Sequence, residues 1–205
     1  MQVKKLVLGL AAAFSLFVHG GTMLLNSGDT LVFMGDSITQ FGNENNHGYV
    51  RLVMAGLQAN DINVTYFGKG VSGQTAVEMK NRFQADVIAN NPKVVTIFAG
   101  VNDCSKKEDT GWPNDTTSSP DDVAAMVAMA LEENITPVLL SPTSHGGEEF
   151  RKDICDYAAA VKKIAEDNHI PYVPTYETFR DYVDDATNPK VNSQYKLTAD
   201  GTHMS

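Results

Sequence analysis

The sequence predicts an α/β protein: one parallel sheet of five strands with helices on both faces. Three observations carry that expectation. Short apolar runs alternate with stretches whose apolar residues recur at helical spacing, the order of strand and helix in a βαβ chain. Two of the runs, Leu31-Val32-Phe33-Met34 and Val94-Val95-Thr96-Ile97-Phe98, are nearly continuous, as in strands covered on both faces. The chain of 205 residues is long enough for one such domain with a full core.

In chain order, residues 1–20 stand apart. Lys4 and Lys5 precede an apolar run from Leu6 to Val18, and Gly20 and Gly21 follow, the layout of a secretory signal peptide. No Ala-x-Ala site is present, and Val18-His19-Gly20 is its nearest substitute. The run is short for a transmembrane span, and a membrane anchor is the competing reading. The expectation is a secreted or periplasmic protein without membrane association after signal removal, with residues 21–205 forming a single domain.

Asn26-Ser27-Gly28-Asp29 is a turn into the first strand, which ends in Gly35-Asp36-Ser37-Ile38-Thr39. A polar loop from Asn43 to Gly48 follows, and Val50, Val53, Met54 and Leu57 predict a helix over 47–59. Ile62 to Phe67 alternates and is β-branched, as in a second strand. Beyond Gly68–Gly73, Ala76, Met79, Phe83 and Val87 mark a second helix that Asn90-Asn91-Pro92 stops. The third strand, Val94–Phe98, runs into Gly100-Val101-Asn102-Asp103 and a polar loop that extends to about residue 118. Ser119-Pro120-Asp121-Asp122 starts a helix: the serine caps, the proline fits the first position, and the acids suit the dipole. Thr136–Leu140 is the fourth strand, 148–168 a long helix, Ile170–Val173 the fifth strand and 175–183 a shorter helix. No internal repeat or linker divides the chain. It ends at Ser205, immediately after Asp200-Gly201-Thr202-His203, where such a domain usually adds one more covering helix. A truncated carboxyl terminus is therefore an open alternative to a natural one.

Composition narrows the function. There are 16 Lys and Arg against 25 Asp and Glu, a formal net charge of −9, and loss of residues 1–20 would make it about −11. No basic cluster exists, so nucleic acid is not an expected partner. Export would permit a disulfide between Cys104 and Cys155, but spacing cannot show that they meet, and two separate thiols is the favoured reading. No CxxC or His/Cys cluster suggests a metal, and no cofactor is expected. Gly68-x-Gly70-x-x-Gly73 matches a dinucleotide fingerprint, but the next strand ends in Phe98-Ala99-Gly100, with no acid for a ribose. The physical point survives: N–H groups in a Gly-rich turn at a helix start can meet developing negative charge.

The carboxyl edge of a parallel sheet is where ligands bind. The first three strands deliver Ser37, Gly73 and Asn102 there, and the last segment can reach it with Asp200 and His203. Alone, each has an ordinary reading: Ser37 or Asp36 caps a helix, Asn102 and Asp200 form turns, His203 frays near a chain end. Together they fill the separate roles of acyl transfer: nucleophile, base, a group holding the base, and oxyanion donors. The standard nucleophile elbow, Gly-x-Ser-x-Gly, is absent. His47, His145 and Glu148 lie in predicted loops near such a rim, and Trp112 has the ring to stack on a sugar; each is equally a solvated or locally packed loop residue. Asn63, Asn114 and Asn134 begin Asn-x-Thr sequons, relevant only in a glycosylating host.

These blocks resemble the SGNH (GDSL) hydrolases, in particular their carbohydrate acetylesterase-like members, from Leu31 to His203. Gly35-Asp36-Ser37-Ile38-Thr39 resembles the family's first block, Gly73 the glycine of the second, Gly100-Val101-Asn102-Asp103 the third, and Asp200-Gly201-Thr202-His203 the last. The resemblance implies a flavodoxin-like three-layer α/β/α sandwich and ester hydrolysis. It implies Ser37 as nucleophile, His203 as base and Asp200 orienting the imidazole. It further implies an oxyanion hole made by the N–H groups of Ser37 and Gly73 and the side-chain amide of Asn102. The expected substrate is a small-molecule or polysaccharide carboxylic ester, with an O-acetyl group on carbohydrate placed first by analogy with the family, helped by short polar loops, an acidic surface and the lack of a broad apolar loop for an acyl chain. A lysophospholipase or thioesterase, which needs an apolar groove, and an inactive carbohydrate-binding relative are the alternatives. The oligomeric state is not legible.

Overall fold

The computed structural model describes residues 18–19, 22–106, 118–143 and 148–178. Most of the expected signal segment, Trp112, Asn114, His145, the end of the helix expected over 175–183, Asp200 and His203 lie outside the described residues.

Five strands form one all-parallel sheet: β1 (Thr30–Gly35), β2 (Thr65–Gly70), β3 (Val94–Phe98), β4 (Thr136–Leu140) and β5 (Tyr172–Val173). Their spatial order is β2-β1-β3-β4-β5, the flavodoxin-like order that the family resemblance implies. The helices are α1 (Ser37–Glu44), α2 (Tyr49–Ala59), α3 (Ala76–Asp86), α4 (Val101–Lys106), α5 (Pro120–Glu132) and α6 (Glu148–Asp167). A separate antiparallel pair joins Val18–His19 to Thr22–Met23.

Side chains alternate along a strand, so each central strand feeds both layers. Leu31 and Phe33 of β1, with Val94 and Phe98 of β3, pack on Ile38 of α1 and Val50, Val53 and Leu57 of α2. Val32, Met34, Val95 and Ile97 pack on Met79 and Phe83 of α3, Met126 and Val127 of α5, and Ile154 and Val161 of α6. Burying each such side chain stabilises by about 1.5–3 kcal/mol. Edge-to-face rings tie the first layer together: Phe33 lies 6.1 Å from both Tyr49 and Tyr66, and Tyr49 lies 5.8 Å from Phe98.

Four expectations need correction. The second strand runs from Thr65 to Gly70 and not from Ile62 to Phe67. Its bounds come from the neighbouring strand: Thr65 pairs with Thr30 and Gly70 with Gly35, so pairing with β1 draws in two glycines of poor strand propensity. Ile62 and Val64 precede the strand and pack on the α1/α2 layer from irregular backbone. Residues 37–44 are helical, where only a cap and a polar loop from Asn43 were expected. The chain after β3 turns at once into α4. The fifth strand is two residues long, because only Tyr172 and Val173 pair with β4.

Two features fasten helices to β2, one on each face of the sheet. A Cβ added at Gly70 would stand 2.1 Å from the backbone N of Gln40, so glycine lets the end of β2 lie directly on α1. On the opposite layer, Asp86 of α3 pairs with Lys69 of β2 at 3.1 Å and with Arg82 at 2.8 Å. Partial burial alone would raise the Asp86 carboxyl, but Arg82 and Lys69 outweigh it and hold its pKa below the ordinary value.

Gly70→Ala must push α1 off the sheet, so it should lower the unfolding free energy by about 1–3 kcal/mol in urea titrations. An unchanged midpoint would contradict that packing. A depressed pKa in the folded state contributes stability above the ordinary carboxylate value of about 4, lost as pH falls through the folded value. Between pH 5 and pH 2, Asp86→Asn should therefore lose less stability than the parent protein. The difference should stay within about 1 kcal/mol because the pair is partly exposed. Equal acid sensitivity of the two proteins would remove the pairing from the account.

Candidate active site at the carboxyl edge

The ends of three strands are level. Gly35 of β1 stands opposite Gly70 of β2 on one side and Phe98 of β3 on the other. The chain leaves β1 toward β2 and later crosses back to β3, so its direction reverses between β1 and β3. A crevice opens at such a reversal, beyond the carboxyl ends. Ser37, Gly73 and Asn102 all leave the sheet at this edge.

Asp36 is the N-cap of α1, its Oδ1 accepting the N–H of Ile38 at 2.8 Å. The capping reading is therefore correct for Asp36. Ser37 is the first residue of α1, in a turn that directs its N–H groups outward along the helix axis. Both residues are buried, Ser37 at 7 % exposure.

Gly73 has φ of +78°, the left-handed region open to glycine. Its turn starts where Val71 N–H donates to Gly35 O at 3.1 Å, directly off the end of β1. Ser72 donates its N–H and its hydroxyl to Gln40 Oε1 at 2.9 and 2.8 Å. Thr75 and Glu78 then form a capping box that starts α3. Asn102, in the first turn of α4, closes the arrangement. Its Nδ2 donates to Gln74 O at 3.0 Å and to Asp36 Oδ2 at 3.3 Å. The Asn102 amide thus bridges the residue before Ser37 and the residue after Gly73.

Asp103 anchors that amide from behind. Its carboxylate accepts from Ala76 N–H at 3.2 and 3.3 Å, from the Ser118 hydroxyl, and from the Tyr157 phenol at 3.3 Å. It thereby joins α4 to the start of α3, to the residue before the Ser119 cap of α5, and to α6. Burial pushes the Asp103 carboxyl above its ordinary range against the pull of these donors. The Tyr157 phenol is pushed up by burial and by the charge of Asp103.

The structure brings together Ser37, Gly73 and Asn102, while Asp200 and His203 lie outside the described residues. His47 is exposed in the turn between α1 and α2, away from the bonds just described. Glu148 opens α6 and is helical, not a loop residue. Cys104 is buried, Cys155 is exposed, and neither is in a disulfide. Among the described residues, no group of His, Cys, Asp and Glu side chains is placed to hold a metal ion. Two surface pockets, one beside Arg51 and Tyr66 and one beside Lys162 and His169, lie toward the amino ends of β2 and β5. Two residues escaped the sequence reading: Gln40, which holds Ser72, and Arg82, whose Nε donates to Gln74 Oε1 at 2.5 Å. Arg82 left one signal, its four-residue spacing from Asp86.

Residues 33–205 match the GDSL-like lipase/acylhydrolase family. An acetylxylan esterase of Geobacillus stearothermophilus is 30 % identical over 178 residues, covering 78 % of this chain and 81 % of that protein. The crystal structure of an acetyl xylan esterase, AlAXEase, superposes with a TM-score of 0.75 at 28 % identity, over 86 % of this chain and 91 % of that one. A catalytic mutant of Axe2, an acetylxylan esterase from Geobacillus stearothermophilus, has a serine replaced by alanine. It gives 0.75 at 26 % identity, over 89 % of this chain and 90 % of that one. Further catalytic mutants of Axe2 replace an aspartate and, three residues later, a histidine. The blocks at the carboxyl edge, the strand order and this family match agree: the chain belongs to the GDSL-like lipase/acylhydrolase family and is an SGNH-type carboxylic ester hydrolase.

Proposed function

We propose that this protein is a serine esterase that removes O-acetyl groups from carbohydrate. Ser37 Oγ attacks the ester carbonyl while the His203 imidazole takes its proton. The carbonyl oxygen becomes an oxyanion, received by the N–H groups of Ser37 and Gly73 and by the Asn102 amide. Collapse breaks the bond to the sugar oxygen, which leaves as an alcohol with the proton from the imidazolium, and acetyl-Ser37 remains. Water then attacks the acetyl group as His203 takes its proton, releasing acetate and regenerating Ser37. Asp200, three residues before His203, accepts the other imidazole N–H and stabilises the imidazolium.

The observation that carries this proposal is the Asn102 amide held between Asp36 and Gln74, because these are the immediate neighbours of Ser37 and Gly73, the other two expected oxyanion donors. Of its two contacts, the one to Asp36 is the longer at 3.3 Å, and it is the one a carbonyl oxygen would replace. The Asp-x-x-His spacing of the Axe2 catalytic mutants supports the roles given to Asp200 and His203. The acetylxylan esterases among the relatives support an acetylated polysaccharide as substrate. Export, as residues 1–20 suggest, would place the enzyme beside such polymers.

Ser37→Ala should abolish p-nitrophenyl acetate hydrolysis, and Asn102→Ala should lower kcat by about 10²–10³-fold. The unaltered enzyme should prefer acetyl to octanoyl esters and should release acetate from acetylated xylan. Turnover by Ser37→Ala would remove the serine mechanism, and a preference for octanoyl esters would remove the acetyl assignment.

A further inference from the structure

The oxyanion-binding turn is held by bonds and not by packing. Val71 and Ser72 are exposed, and Gly73, with no side chain, has the freest backbone in the turn. The direction of the Gly73 N–H therefore depends on what grips its two neighbours. On one side, Gln40 Oε1 accepts both the N–H and the hydroxyl of Ser72, while Gln40 Nε2 donates to Glu44 at 3.0 Å. The Glu44 bond fixes which end of the Gln40 amide faces the turn. On the other side, Arg82 Nε donates to Gln74 Oε1, and its Nη2 donates to Gly35 O and Lys69 O, each at 3.0 Å. Asp86 holds Nη1 at 2.8 Å. One guanidinium thus touches the last residue of the strand that carries Ser37, the edge strand that leads into the turn, and the turn itself.

We propose that Gln40 and Arg82 are positioning residues that clamp the turn on either side of Gly73, aiming the Gly73 N–H and, through Gln74, the Asn102 amide at the carbonyl that Ser37 attacks. The inference rests on the assignment of Ser37, Gly73 and Asn102 made above. Gln40 fixes the turn relative to α1, whose first residue is Ser37. Arg82 fixes it relative to β1, which delivers Ser37. Nucleophile and oxyanion donors are thereby referenced to the same two groups. A displacement of about 1 Å at such a site lowers the rate about a hundredfold without touching the chemistry. Lysine cannot replace Arg82, because a point ammonium lacks the fork that reaches Gln74, Gly35 and Lys69 together.

The test compares Gln40→Ala, Arg82→Met and the double variant with the parent and with Ser37→Ala, on p-nitrophenyl acetate, with a thermal melt for each. The clamp predicts a loss in kcat of about ten- to a hundredfold for each single variant, with KM within about twofold. The double variant should lose little more than the worse single variant, because releasing either side already frees the glycine. Gln40→Glu, made together with Glu44→Gln so that a donor still faces residue 40, keeps an acceptor for Ser72 and should recover most of kcat. If Arg82→Met does not fold, Gln40→Ala and this paired exchange decide alone, since the Gln40 bonds are exposed and contribute little to folding. Full kcat in folded Gln40→Ala, or a failure of the paired Gln40→Glu and Glu44→Gln exchange to recover it, overturns the clamp. So does a loss in the double variant equal to the product of the single losses. Activity in Ser37→Ala would instead overturn the underlying site assignment.

Discussion

Strand β1 is hydrogen-bonded on both sides, to β2 and to β3, and every group at the candidate site depends on that double pairing. The parallel ladders bring Gly35, Gly70 and Phe98 level, so three strands release their chains at one edge. A one-residue slip in either ladder would turn the buried side chains of β1 to the opposite layer. With both layers closely packed, such a slip is strongly disfavoured: Leu31, Val32, Phe33 and Met34 are all at 1 % exposure or less. The core of the sheet therefore sets the position of the reactive edge.

From those strand ends outward, packing gives way to hydrogen bonding. α1 lies against β2 because Gly70 carries no side chain, and this places Ser37 at the start of a helix fixed in height. The turn after β2 has few apolar contacts, and its shape comes from Gln40, Arg82 and Asn102. Asp103 adds a buried carboxylate that collects donors from three other parts of the chain. A buried carboxylate is stabilised only while its donors stay in place, so these segments are bound to one arrangement. The division suits a catalyst: a hydrophobic sheet supplies rigidity, and a polar shell supplies direction.

Much of this was legible in the sequence wherever the signal was local. Ser119 and Pro120 marked the start of α5, because a cap and a proline act on their own neighbours. The nearly continuous apolar runs of β1 and β3 announced strands buried on both faces. Ser37, Gly73 and Asn102 were read from their places after three strands, and Asn102 bonds the neighbours of the other two, Asp36 and Gln74. The start of β2 was misplaced because its partner, not its own propensity, decides which residues pair. α1 was missed because Ser37-Ile38-Thr39-Gln40 holds two β-branched residues and Gly42 follows, a weak helix that tertiary contacts stabilise. Gln40 and Arg82 carried no motif, since their partners are distant backbone atoms and neighbours of a glycine. Asp200 and His203, the other half of the proposed site, were read from the sequence alone.

The central claim is that the edge built around β1 presents Ser37 as the reactive nucleophile. The most direct measurement is to treat the active protein with diethyl p-nitrophenyl phosphate and locate the modified residue by peptide mass spectrometry. Ser37 Oγ should displace p-nitrophenolate and retain the diethylphosphoryl group, with one equivalent released as activity is lost. Inactivation with the group on any other residue would contradict the account.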